Sequence, residues 1–144
     1  MMRDEPKKLP KPTSYDQLYP GRFIKAAELL GKKPSLTMTD IDLEELEGDD
    51  GKKTKCIITF KETAKKLVAC KTNGLCIKAM FGKELKEWLG KRLTIMEDVW
   101  NGEPCIRVWG SPDIQADIDV EIALPRRRPF KRVLRRVDKQ TAGP

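Results

Sequence analysis

With 144 residues, 39% of them hydrophobic, the chain has apolar material for one core and too little for two ordinary domains. It contains no histidine, which removes the commonest general base and metal ligand, and its four cysteines include no C-x-x-C pair of the kind that opens a zinc site. The formal net charge of +7 is unevenly placed: residues 1–124 carry 21 basic and 21 acidic side chains, whereas PRRRPFKRVLRRVDKQTAGP at 125–144 carries eight basic and one acidic.

Residues 1–17, rich in proline and charge, read as an N-terminal arm with neither the apolar core of a secretory signal nor a membrane span, which needs roughly 18 consecutive apolar residues. The expectation is a cytoplasmic protein with no membrane partner. LYPGRFIKAAELLG then supplies Leu18, Tyr19, Phe23, Ile24, Ala27 and Leu30 for one or two short helical turns over an open end of the fold. In SLTMTDIDLEEL, Leu36 and Met38 share one alternation phase and Ile41 and Leu43 the other, so a bulge should bend this first strand. After the acidic stretch EGDDGKK, TKCIITF at 54–60 and KLVAC at 66–70 read as two further strands.

TNGLCIKAMFG changes the period to that of a helix, with Thr72 as its capping residue and a glycine to end it. KELKEWLG repeats the device, with Trp88 as a core side chain, so two short helices or one bent at Gly82 are expected. KRLTIMEDV and PCIRVWG return to strands, joined through Trp100-Asn101-Gly102-Glu103, a strong hairpin signal. Three strands, a helical segment and two strands make a mainly β protein whose order, β-β-β-α-β-β, is that of a five-stranded OB-like barrel over residues 18–124. The four thiols are expected to be reduced and mostly buried.

LVACKTN at 67–73, EWLGKRLTI at 87–95 and CIRVWG at 105–110 resemble, in that order, a group of small phage and prophage proteins. The resemblance covers roughly residues 18–112 and implies an OB-like fold, a setting among replication or recombination genes and a bacterial host cell. The family pattern usually has Leu-Asn where this chain has Ala69 and Cys70. No activity or site residue is implied.

Within the closing hairpin, alternation places Ile106 and Val108 on one face and Arg107 beside Trp109 on the other, the layout of a platform for a base and a phosphate. Trp100 sits near the turn, in the loop that oligonucleotide-binding OB domains commonly use. Core packing remains open for both indoles. Lys71, Lys91 and Arg92 flank the helical segment and can follow a sugar-phosphate backbone. In the C-terminal tail, 125–144, Phe130, Val133, Leu134 and Val137 recur at helical spacing among Lys131, Arg132, Arg135 and Arg136, behind an extended Arg126, Arg127 and Arg128. That pattern predicts a basic amphipathic helix for a polyanion. Asp40, Asp42 and Glu44 alternate on one strand face, but no converging ligands suggest a metal. No catalytic residue and no cofactor is expected. The leading expectation is a non-enzymatic binder of single-stranded nucleic acid, DNA before RNA, with low sequence preference. The alternative is an adaptor for a replication or recombination protein, its tail clasping an acidic partner.

Overall fold

The computed structural model describes residues 22–48 and 51–137, so the arm at 1–17 and residues Leu18 and Tyr19 lie outside the described residues. The first strand, β1 (Ser35–Gly48), is bent where its alternation slips. Met38 opposes Phe60 of β2 (Gly51–Phe60) and the next pair is Asp40 with Thr59, which leaves Thr39 as the extra residue of a bulge. Before the bulge, Ser35–Thr37 pair with β4 (Arg92–Trp100); beyond it β1 pairs with β2 alone. The far half of the β1–β2 ribbon leaves the core. There Glu47 opposes Lys52 and Glu44 opposes Lys55, so opposite charges face one another across the ribbon. Within the acidic stretch EGDDGKK, the described residues Glu47, Gly48, Gly51, Lys52 and Lys53 are therefore strand, where a loop was expected between strands.

The three residues of β3 (Leu67–Ala69) pair with β2, and Phe23 bridges to Lys66. A single 3-10 turn, Ala26–Leu29, follows that bridge, with Ala26 and Leu29 buried where Ala27 and Leu30 had been expected. Helix α1 spans Lys71–Phe81 and begins one residue before the expected cap: Cys70 is the N-cap and makes no side-chain capping bond, while Thr72 lies inside the first turn. Gly82 ends it at φ 93°, a left-handed value that suits glycine. A second, 3-10 turn at Leu85–Glu87 leads to Trp88, which is buried and donates its Nε1–H to the Gly82 carbonyl at 2.8 Å. Trp88 is thus a core residue whose polar edge fastens the two helical pieces together.

Asn101 and Gly102, at φ 51° and 78°, form the two-residue turn between β4 and β5 (Glu103–Ser111). Two more strands follow, β6 (Ile118–Ile122) and β7 (Phe130–Arg136), antiparallel to each other. Residues Gly110 and Ser111 of β5 pair in parallel with Arg135 and Arg136 of β7. The result is one seven-stranded mixed sheet in the order β3-β2-β1-β4-β5-β7-β6.

Two expectations change here. The protein is mainly β with one short helix, but the sheet has seven strands and does not close into a five-stranded barrel. The segment read as an amphipathic helix is strand β7, with Leu134 fully buried, so the boundary drawn after Leu124 cuts through the sheet. What looked like helical spacing conceals alternation: Phe130, Arg132 and Leu134 point inward, and an arginine at the middle inward position breaks the apolar signal. The core gathers Met38, Ile58, Phe60, Leu67, Ile77, Leu93, Ile95, Val108, Ile122 and Leu134 from nearly every element. Of the four free thiols only Cys76 is buried; Cys70 is exposed.

Candidate nucleic-acid interface

β3 and β5 do not pair, and the space between them is where α1 begins. The Asn73 side chain spans it. Asn73, 2% exposed, donates from Nδ2 to the Ile106 carbonyl at 2.9 Å and accepts at Oδ1 from the Val108 N–H at 3.3 Å. By taking the place of strand-to-strand bonds, the amide holds the helix N-terminus beside β5 while leaving the flank open.

That opening is a groove of about 720 Å³, walled by residues 24–27, β3, the first turn of α1 and residues 104–107 of β5. Its lining includes Lys25, Lys71, Arg107 and Arg127, with Trp100 as its aromatic surface, and no lining residue is acidic. Trp100, the last residue of β4, is half-buried, and the guanidinium carbons of Arg107 and Arg127 lie 5.5 Å and 4.7 Å from its ring centre. Both distances are within cation–π range. Phe130 supports the indole from β7, with ring centres 6.5 Å apart.

Arg107 is only 8% exposed, and its Nη1 donates to the Cys70 Sγ at 3.2 Å. Among the described residues it has no carboxylate partner. A buried cation is ordinarily paired, because burial without a counter-ion is costly. Arg127 belongs to the exposed connection between β6 and β7, where Arg126 (φ 60°) turns the chain and Arg126, Arg127 and Arg128 are all exposed. The β6–β7 turn, fixed at both ends by strands, thus sets Arg127 at the groove, with Arg126 and Arg128 exposed on either side of it in the chain.

The remaining expected residues are dispersed. Trp109 occupies a β-bulge: Ile95 opposes Val108 and Thr94 opposes Gly110, so Trp109 has no partner and the alternation shifts. It does not form a platform with Arg107; it lines a separate hollow with Lys33, whose Nζ sits 4.9 Å from its ring centre, and with Asp117, Arg135 and Arg136. Arg135 pairs with Asp117 at 3.1 Å, and Asp117 also accepts the Arg136 N–H. These two bonds hold the Asp117 carboxyl below its usual pKa.

Arg92 is committed to Asp113, which accepts from its Nη2 at 2.6 Å and from its backbone N–H at 2.7 Å. The Arg92 bonds hold the Asp113 carboxyl below the usual carboxylate range. Arg132 turns inward, donating to the Val108 carbonyl at 3.1 Å, with Asp98 3.9 Å away. Burial raises the Cys76 thiol pKa, and the charge of Arg132 opposes that rise. Lys91 is half-buried, and its backbone bonds to Met38 and Trp88 secure the bend of β1. Lys131 is exposed on β7.

The structure therefore unites Lys71, Trp100, Arg107 and Arg127, with Arg126 and Arg128 alongside. Thr72, read from the sequence as a helix cap, and Leu124 also line the groove, and neither was expected as a site residue. The alternation of DIDVEI at 117–122, which marks β6, was the available clue to Leu124. Among the described residues no three His, Cys, Asp or Glu side chains group to hold a metal, and no helix is long and apolar enough to cross a membrane. The chain matches no known protein family, no curated protein and no solved structure.

Proposed function

We propose that the protein is a non-enzymatic binder of single-stranded nucleic acid, DNA before RNA, and that the groove beside Trp100 is its site. The observation that carries this reading is a concave surface holding an indole and four cations, one of them buried without a carboxylate. A base can stack on the Trp100 ring while the surrounding cations meet phosphates, and neither interaction depends on base identity. Arg127, exposed and anchored only through its loop, would leave the indole for a phosphate as a base takes its place. The strand order β3-β2-β1-β4-β5 is also that of an OB-like barrel left open between its third and fifth strands, with β7 and β6 added beyond. This supports the resemblance to phage and prophage proteins of replication or recombination modules, and with it a bacterial cytoplasm.

Titration of the full chain with a labelled single strand and with the corresponding duplex, each at two salt concentrations, tests the assignment. The single strand should bind more tightly and quench tryptophan emission. Trp100→Leu should remove most of that quenching and weaken binding by about 1–3 kcal/mol, the worth of one base stack, whereas Trp109→Leu should leave both nearly unchanged. Equal affinity for the duplex, or undiminished quenching in Trp100→Leu, would refute it. An adaptor role is the second reading, favoured by a hollow of about 400 Å³ where Leu75, Leu85 and Trp88 lie among Lys71, Lys78 and Lys83. An acidic, apolar peptide fits that chemistry, and its binding without any strand binding would select this reading.

A further inference from the structure

Within the proposed groove, one end differs from the rest. The first bond of α1 runs from the Gly74 N–H to the Cys70 carbonyl at 2.9 Å, so the amides of Lys71, Thr72 and Asn73 precede it. The Cys70 cap provides no side-chain bond to these amides. Cys70, Lys71, Thr72 and Asn73 all line the groove. Thr72 is 5% exposed, and among the described residues its hydroxyl makes no hydrogen bond. Arg107, 8% exposed, lies against the same cap through its bond to Cys70 Sγ. Three kinds of donor thus meet with no oxygen acceptor among the described residues: the positive end of an 11-residue helix, a nearly buried hydroxyl, and a nearly buried guanidinium whose bond goes to the Cys70 sulfur. Lys71 adds an exposed charge at the rim.

Such a set suits a compact anion with several free oxygens and more than one negative charge. An internal phosphodiester carries one charge and two free oxygens. A phosphomonoester carries roughly one and a half to two charges at neutral pH and offers three. Resting on the strand-binding reading above, we infer that this end of the groove receives the terminal phosphate of a nucleic-acid strand, its end base lying toward Trp100. The protein would then prefer strand ends to strand interiors. Nothing covalent is required, since the donors bind and orient the phosphate and break no bond.

The test compares three oligodeoxynucleotides of one sequence, bearing a 5′-phosphate, a 3′-phosphate or neither, bound to the full chain and followed by tryptophan emission. One phosphorylated end should bind about tenfold more tightly than the unphosphorylated strand, as one added charge-assisted contact would give. The two arms identify which end the groove takes. Inorganic phosphate at millimolar concentration should compete with the phosphorylated strand and leave the unphosphorylated one nearly unaffected. The phosphate preference should vanish in Arg107→Gln and fall severalfold in Lys71→Ala, an exposed change that keeps the test available if the buried substitution does not fold. Equal affinity for all three ends would overturn the inference while leaving strand binding intact. Failure of all three to bind would remove the strand reading and this inference together.

Discussion

Asn73 uses both ends of its amide on β5, on the half-buried Ile106 carbonyl and the buried Val108 N–H. Replacing it with alanine would leave the Ile106 carbonyl and the Val108 N–H without those bonds in a region largely closed to water. Because an unmet buried polar group costs about 1–3 kcal/mol, Asn73→Ala should lower stability by about 2–4 kcal/mol in urea unfolding. A loss below about 0.5 kcal/mol would show that water substitutes for the amide and that the groove does not depend on this clasp. Much at this scale was legible in the sequence. The Asn101-Gly102 turn fixed the hairpin, and with it the neighbourhood of Trp100 and Arg107. Trp109 was misplaced because a bulge is a property of pairing with β4 and leaves no mark in the spacing of β5 itself. The commitment of Arg92 to Asp113, 21 residues away, likewise depends on how the chain folds back.

At the scale of elements, the bend in β1 and the start of β5 follow from local pattern, but β7 does not. Its apolar residues satisfy a helical template by coincidence, and its central inward residue is Arg132, held by a carbonyl of β5. A strand with an arginine facing inward is recognised only once its neighbour is known. The junction of β5 and β7 rests on Gly110. An added Cβ there would lie 1.9 Å from the Arg135 carbonyl oxygen, and because that atom is backbone the strand itself must move. Gly110→Ala should therefore destabilise by about 1–3 kcal/mol, in the manner of an overpacked core, and shift the amide resonances of β7 more than those of β2. Unchanged β7 resonances together with unchanged thermal stability would mean that the close parallel approach does not exist in solution.

For the whole molecule, the charge excess and the fold are two properties of one segment. The sequence divides a neutral body from a basic tail, yet residues 130–136 complete the sheet, so the positive charge of these residues is carried on structure, with Arg127 reaching the groove and Arg135 and Arg136 the hollow at Trp109. Consequently, a chain ending at Leu124 is a poor way to remove charge. It would strip β7 from both neighbours, uncover Ile122 and Val108, delete Leu134 from the core, and should fail to unfold cooperatively. Substituting Arg126, Arg127 and Arg128 together with serine separates the two properties, because all three are exposed in the turn between β6 and β7. The substituted chain should keep the parent's unfolding midpoint within about 0.5 kcal/mol of stability, as surface changes usually do. Its binding should depend less on salt. Each lost phosphate contact removes about 0.7 from the slope of log affinity against log salt for a single strand, so three contacts would lower it by about two. A slope equal to the parent's would place the attraction elsewhere on the molecule, with the exposed Lys131, Arg135 and Arg136 of β7 the next cations to neutralise.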